Sequence, residues 1–223
     1  MKVSILYTVL SVLNLIAFAI VVSLLPASVP VHFNGAGVVD RLGSAWEYIA
    51  FPSITALLSI GVFIIMLRMK SANRKYFAIA LALVGGLFLC MGWAFLGLAA
   101  QGAEYGEKVG FPFAAVSALP ISLLLIAFGA MMPRLEANYF LGIRTSATLK
   151  SERVWEKTHR VGGIAFIVCG AISAITAVVF SCLDVSPRLD WLALVVLLVA
   201  LVVTALFCVI YSYTVKEEAP TQE

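Results

Sequence analysis

Charge is what this sequence lacks. Six stretches contain no Asp, Glu, Lys, Arg or His: Ile5 to Leu25, Ile49 to Leu67, Phe77 to Ala100, Pro112 to Met132, Val161 to Phe180 and Trp191 to Thr214. Only 12% of the 223 residues are charged, where a soluble domain carries about a quarter. Four cysteines, Cys90, Cys169, Cys182 and Cys208, stand apart without CxxC spacing. Neither a disulfide framework nor a zinc site is indicated. No HExxH, GxSxG or Walker-type glycine loop occurs. The uncharged stretches also lack the acid or histidine that an intramembrane protease or an ion-coupled transporter places within the bilayer. No catalytic residue and no cofactor is therefore nominated, and an enzyme is not expected. A carrier that uses only hydroxyls and carbonyls, through Thr8, Ser11, Asn14, Ser59, Ser117 and Thr176, stays open.

What is present is apolar length. The chain is 62% hydrophobic with a mean hydropathy of +1.05. Each uncharged stretch is long enough to cross a hydrocarbon core, which takes about 20 helical residues. Lipid cannot pair free backbone groups, so unbroken apolar runs of this length are read as helices. The expected fold is an all-α integral membrane protein with six transmembrane helices. The first stretch is too long for the apolar part of a signal peptide, so it is expected to be retained.

Lysine and arginine near a span are held on the cytoplasmic side. With the amino terminus inside, the inner regions hold Lys2, Arg68, Lys70, Arg74, Lys75, Arg134, Arg144, Lys150, Arg153, Lys157, Arg160 and Lys216, against Arg41, Lys108 and Arg188 outside. Twelve against three predicts both termini in the cytoplasm. The net charge of +3 is thus a topology signal, and direct nucleic-acid binding is not expected. Trp46, Tyr48, Trp191, Tyr211 and Tyr213 lie at span ends, where amphipathic rings anchor at the headgroup boundary. Gly85, Gly86, Gly92 and Gly97 in the third span, and Gly162, Gly163 and Gly170 in the fifth, are read as close helix contacts. Phe51-Pro52 and Phe111-Pro112 open the second and fourth spans, and Pro120 is expected to kink the fourth.

Two polar regions remain. The short outer loop after the first span reads LPASVPVHFNGAGVVDRLGSAWE. Pro26 and Pro30 stop the helix, VPVHF favours an extended backbone, and Asn34-Gly35 signals a turn. His32 and Asn34 would share one face of an extended segment, with Asp40 folding back towards them. Three polar side chains held by a turn suit a peptide backbone, a headgroup or a cation. The plainer reading is that Asn34, Gly35, Gly37 and Asp40 only shape the turn.

The inner region, NYFLGIRTSATLKSERVWEKTHRVGG, begins at Asn138. Ser151 can cap a helix that runs into the fifth span, with Val154, Trp155 and Thr158 on one side and Glu152, Arg153, Glu156, Lys157 and Arg160 on the rest. Glu156 and Arg160 can pair at i,i+4. Gly142 permits a turn, and Arg144, Lys150 and Arg153 can grip lipid phosphate or an acidic partner. The plainer reading is an amphipathic cytoplasmic segment with a tryptophan anchor.

In this region Asn138, Gly142-Ile143-Arg144-Thr145, Thr148-Leu149, Val154-Trp155, His159-Arg160 and Gly170 stand at the spacing of a family pattern, N-x-x-x-G-(I/L)-R-T-x-x-T-L followed by V-W, R and G. The sequence there resembles the SdpI family of bacterial membrane proteins. The outer loop, through Leu25-Pro26, Val29-Pro30, His32, Asn34, Gly37 and Asp40, is similar to the small amino-terminal domain of unknown function often found with it. Ser146 stands where many relatives have Pro after Arg-Thr.

The resemblance implies an inner-membrane protein of six spans with both termini inside. It divides the chain into an amino-terminal two-helix region, 1–75, and a four-helix region, 76–223, with the cytoplasmic loop at 133–160. For the founding member it implies immunity to an exported peptide toxin and capture of a cytoplasmic repressor at the membrane. The partners implied are therefore the lipid bilayer, an exported peptide outside and a transcriptional repressor inside. His32, Asn34, Gly37 and Asp40 would shape the outer surface, and Asn138, Gly142, Arg144, Thr145, Thr148, Trp155, His159 and Arg160 the inner one. The competing classes are a small-molecule or lipid-handling transporter or membrane enzyme built on the Arg144 loop, and a purely structural subunit.

Overall fold

A computed structural model describes residues 2–34, 37–68, 72–109, 113–182 and 191–215. Gly35 of the expected turn, the Phe111-Pro112 pair, and the cations Lys70, Arg188 and Lys216 lie outside the described residues. The helices are α1 (Lys2–Ser23), α2 (Ala50–Arg68), α3 (Arg74–Ala99), α4 (Phe113–Met131), the short α5 (Ser146–Lys150), α6 (Glu152–Cys182) and α7 (Leu192–Thr214). All but α5 are long and apolar enough to cross a membrane. Leu57, Ile64, Ile175, Leu198 and Ile210 point outward from them. Such a belt would aggregate in water and is at home in hydrocarbon.

The all-α expectation needs correcting. Between α1 and α2 the chain forms an antiparallel hairpin of β1 (Val29–Phe33) and β2 (Val39–Gly43). Once α1 ends, these backbone groups need new partners, and the β-branched Val29 and Val31 around Pro30 favour extended backbone over helix. The turn passes through Gly37 at φ +73°, a conformation that suits glycine. The register shifts between Pro30 and His32, so the hairpin carries a bulge there. Val29 packs with Phe18, Val22, Ala45 and Leu96, while Phe33 and Val39 pack with Leu98 and Val109. The hairpin is thus seated on the ends of α1 and α3.

A third segment covers β2. Val39 donates to the Glu107 carbonyl at 2.9 Å and accepts from Gly106 at 2.8 Å, and Val109 donates to Gly37 at 3.0 Å. Tyr48, expected as a membrane anchor, is instead buried in a 3-10 turn, Ala45–Ile49. Its hydroxyl donates to the Pro30 carbonyl. The ring that was to face headgroups is a strut under the hairpin. Trp46 beside it is exposed.

The helices associate in two groups. α1, α2 and α3 pack together, as do α4, α6 and α7, and α3 with α4 is the main helix contact between the groups. The tightest seam joins α4 to α6. A Cβ on Gly129 would stand 2.5 Å from the Gly163 carbonyl oxygen, one on Gly163 2.6 Å from that of Gly129, and one on Gly170 2.6 Å from that of Ser122. Ser122 and Gly129 are spaced like Gly163 and Gly170, two turns apart on antiparallel helices, so the backbones touch at both levels. In α3, Gly85 lies against the Tyr7 hydroxyl and Gly92 against Phe51, as expected of close contacts. Gly86 and Gly97 face open space, so half of the glycines read as packing residues in that span are not.

This contrast is testable by unfolding in mixed detergent. Gly129→Ala should lower stability by about 1–3 kcal/mol through overpacking. Gly86→Ala should leave it unchanged or raise it by up to about 1 kcal/mol, because alanine is the better helix former. Equal effects at both positions would contradict the seam.

Candidate functional site

The two polar regions sit at opposite ends of the bundle. The hairpin shares its end with the α3–α4 connection, whereas Asn73, before α3, bonds to the segment after α4. Each end can be built from its residues.

At the hairpin end, His32 and Asp40 come together, Nδ1 to Oδ1 at 2.5 Å, with both side chains exposed. Asn34 bonds within the turn. Its Oδ1 accepts from the Val38 amide at 3.1 Å and its carbonyl from Gly37 at 2.9 Å, so it shapes the turn, as does Gly37. Two residues not singled out from sequence stand beside the pair. Arg41 Nη2 binds Glu47 Oε2 at 2.8 Å. Val31, His32, Phe33, Arg41, Glu47 and Tyr48, with Phe51 and Phe95, line a cavity of about 390 Å³. Its floor is a run of stacked rings: Phe33 on Phe95 at 6.4 Å, Phe95 on Phe51 at 5.6 Å, and Phe51 on Tyr48 at 6.4 Å. Aromatic walls with a few polar groups at the rim are what small binding sites are made of. No local periodicity announces this cavity, because its lining comes from the hairpin, the 3-10 turn and two helices.

At the other end, the stretch from Asn138 onward folds into a lock. Asn138 closes a tight turn: its Oδ1 accepts from the amides of Phe140 and Leu141, both at 2.8 Å, and its Nδ2 donates to the carbonyls of Glu136 and Leu141. Gly142 follows at φ +110°. A side chain there would strike His159 Nε2, so glycine is required twice, by dihedral and by space. His159 is buried and stacks on Trp155 with ring centroids 3.9 Å apart. Its Nε2 accepts from the Ile143 amide at 2.9 Å, which leaves the proton on Nδ1, donated to the Trp155 carbonyl at 2.8 Å. The arrangement needs the neutral imidazole, since an imidazolium would set N–H against N–H. Trp155 Nε1 in turn donates to the Leu135 carbonyl at 2.7 Å.

Thr145 and Thr148 saturate the next turn. The Thr145 amide donates to Thr148 Oγ1, which donates to the Ile143 carbonyl. The Thr148 amide donates to Thr145 Oγ1, which meets Ser212 Oγ of α7 at 2.9 Å. This is a capping box with Thr145 as the N-cap of α5. Ser146 is then the first residue of α5, the one helical position where proline is favoured, which accounts for the proline of many relatives. Here its hydroxyl meets that of Tyr213 at 3.1 Å instead.

Arg144 and Arg160 are exposed, and Arg144 Nη1 donates to the Tyr139 carbonyl at 2.8 Å. Glu156 and Arg160 do not form the expected ion pair: both side chains stay in the open, where such a pair is worth little. Asn73, which sequence reasoning passed over, is 1% exposed. It donates to the Glu136 carbonyl at 2.9 Å and accepts from the Glu136 amide at 3.0 Å. Its place just before a helical run could mark it as a helix cap; nothing local announces its partner 63 residues on.

A bundle of six long apolar helices, with one end closed by a hairpin and the other by a self-bonded loop, defines a multi-pass membrane protein. Residues 134–212 match the SdpI/YfhL protein family, and residues 9–56 match a domain of unknown function, DUF1648. The chain is 25% identical over 175 residues to the immunity protein SdpI of Bacillus subtilis strain 168, covering 78% of this chain and 81% of that protein. No solved structure matches it. Each matched region contains one of the two polar ends.

The lock makes a prediction for hydrogen exchange. In the protein with His159→Ala, the Ile143 amide should exchange about five- to tenfold faster, as loss of a bond worth about 1–1.5 kcal/mol implies, while amides in the middle of α6 keep their protection. An unchanged Ile143 amide would remove His159 from the lock.

Proposed function

We propose that this is a non-enzymatic bacterial cell-membrane protein that meets an exported peptide at the hairpin end and a cytoplasmic repressor at the Asn138–Arg160 end. The single observation that carries this reading is that both family-matched polar regions are folded into ordered, self-satisfied surfaces at opposite ends of the bundle. A surface fixed in advance loses little freedom on meeting a partner. The name of the Bacillus subtilis relative, an immunity protein, supports a protective role, and the resemblance to its family suggests an exported peptide as the outer ligand. The twelve-to-three distribution of Lys and Arg supports the hairpin outside and both termini inside.

Under this reading His32, Arg41 and Glu47 ring the aromatic cavity and, with Asp40 held against His32, form the outer recognition surface, while Asn34 and Gly37 hold the turn. Arg144 and Arg160 are the cations offered to the inner partner, and Asn138, Gly142, Thr145, Thr148, Trp155 and His159 hold them in place. A signal passing between the ends would travel through α4 and α6 as one body, because their backbones are in contact at two levels. Sliding one past the other would force carbonyls through glycine positions.

The test uses a sensitive bacterium expressing the protein, challenged with exported antimicrobial peptides, together with membrane recruitment of a tagged repressor. His32→Ala and Arg41→Ala should lower survival by at least about tenfold, the effect of about 1.4 kcal/mol at a binding surface, and leave recruitment without peptide unchanged. Arg144→Ala should reduce recruitment and spare survival. Should all three variants reach the membrane and alter neither readout, the assignments fail.

A further inference from the structure

The loop that carries the inner motif lies at the depth of the helix ends, not beyond them. Three contacts fix that depth. Phe140 meets Phe77 edge-on at 6.0 Å, and Phe77 lies two residues past Lys75, the last charge before the third uncharged run. Ile143 lies over Gly162, the second residue of the fifth run. Ser146 reaches the Tyr213 hydroxyl at 3.1 Å, one residue from the end of the sixth. A segment pinned to three span boundaries lies in the plane of the headgroup layer.

On the rim of this segment stand Tyr139 and Phe140, 73% and 72% exposed. They are held by the Asn138 turn, whose side chain satisfies four backbone groups around them. The bond from Arg144 to the Tyr139 carbonyl brings an exposed guanidinium beside the two rings and uses one of its five N–H donors. The charge around them has one sign. Among the described residues this end of the bundle carries Lys2, Arg68, Arg74, Lys75, Arg134, Arg144, Lys150, Arg153, Lys157 and Arg160, against Glu136, Glu152 and Glu156.

We propose that Tyr139, Phe140 and Arg144 form a grip for an anionic phospholipid of the adjoining leaflet. The rings enter the boundary between headgroups and acyl chains, where aromatic side chains are favoured. The guanidinium binds the headgroup phosphate through its remaining donors. The ten-to-three excess of cations selects an anionic lipid over a zwitterionic one. Depth decides for a lipid over a soluble protein, because a ring level with the start of a hydrocarbon run faces bilayer before it faces water. The lipid is a resident anchor for the loop and not cargo. The grip uses neither an exported peptide nor a repressor; it shares only Arg144 with the inner surface proposed above, so a bound headgroup and a repressor would compete for that guanidinium.

The experiment places a photo-crosslinking benzoylphenylalanine at position 139 or 140 of the full-length protein, in vesicles of phosphatidylcholine and phosphatidylglycerol at about three to one. A bacterial cytosolic extract is present during irradiation, and adducts are identified by mass. Phospholipid adducts should dominate at both positions, with phosphatidylglycerol enriched about fivefold over its share of the vesicle. Arg144→Gln should return that enrichment to the bulk ratio, and Arg144→Lys should retain part of it, while protection of the Ile143 amide from hydrogen exchange confirms that the loop is intact. Adducts mainly to protein, or a phosphatidylglycerol share equal to the bulk with Arg144 in place, would overturn the proposal.

Discussion

An unpaired peptide group in hydrocarbon costs several kcal/mol, and the whole arrangement of this chain follows from avoiding that cost. Within the spans the helix pairs every backbone group except those at its ends, so the difficulty is pushed to the boundaries, where water is scarce but no longer absent. There the chain uses side chains as substitutes for solvent. Asn73 pairs both backbone groups of Glu136, Asn138 saturates a turn by itself, and Thr145 and Thr148 cap one another. His159 takes the Ile143 amide that the reversal at Gly142 would leave bare. At the opposite end the same demand is met by strand pairing, completed by Tyr48 on Pro30 and by the segment at 106–109.

This explains why residues that read as a functional motif have structural occupations. Of the eight inner residues singled out in the sequence, Asn138, Gly142, Thr145, Thr148, Trp155 and His159 are engaged within the fold, and only Arg144 and Arg160 stay exposed. A rigid frame around two cations is a reasonable way to present charge at a membrane surface. It also means that loss of function at a frame residue would report on the shape of the loop before it reported on contact with a partner.

The spans were legible because a solvent constraint acts on each of them separately: about twenty apolar residues suffice wherever they occur. The extended character of VPVHF and the helix running from Glu152 into the fifth span were also local properties and could be read from β-branching, proline and periodicity. What was not legible depends on distant partners. β2, with the sequence VDRLG, has no pattern of its own and becomes a strand because β1 and the 106–109 segment lie on either side. Tyr48 has the composition of an anchor and the position of a strut. Gly86 and Gly97 are chemically identical to Gly85 and Gly92 and differ only in what lies opposite. His159 falls on the buried side of α6 only because Gly142 vacates the space it occupies. The Ile143 amide that it captures is sixteen residues away, beyond the reach of any helical period.

α6 is a single helix of 31 residues, about 46 Å at 1.5 Å per residue, and so exceeds a hydrocarbon core of about 30 Å by some ten residues. Its first turns hold Trp155 and His159, to which the loop is fastened, and its far end reaches the opposite boundary. No break divides the two. In mechanical terms it is an unbroken lever, and a tilt of about 5° around its middle displaces each tip by about 2 Å over this length. That is more than the spread of a hydrogen-bond length. Modest rocking of this rod together with α4 would therefore be enough to carry the loop fastened at Ile143 and Leu135 as one piece, without any helix unwinding inside the membrane.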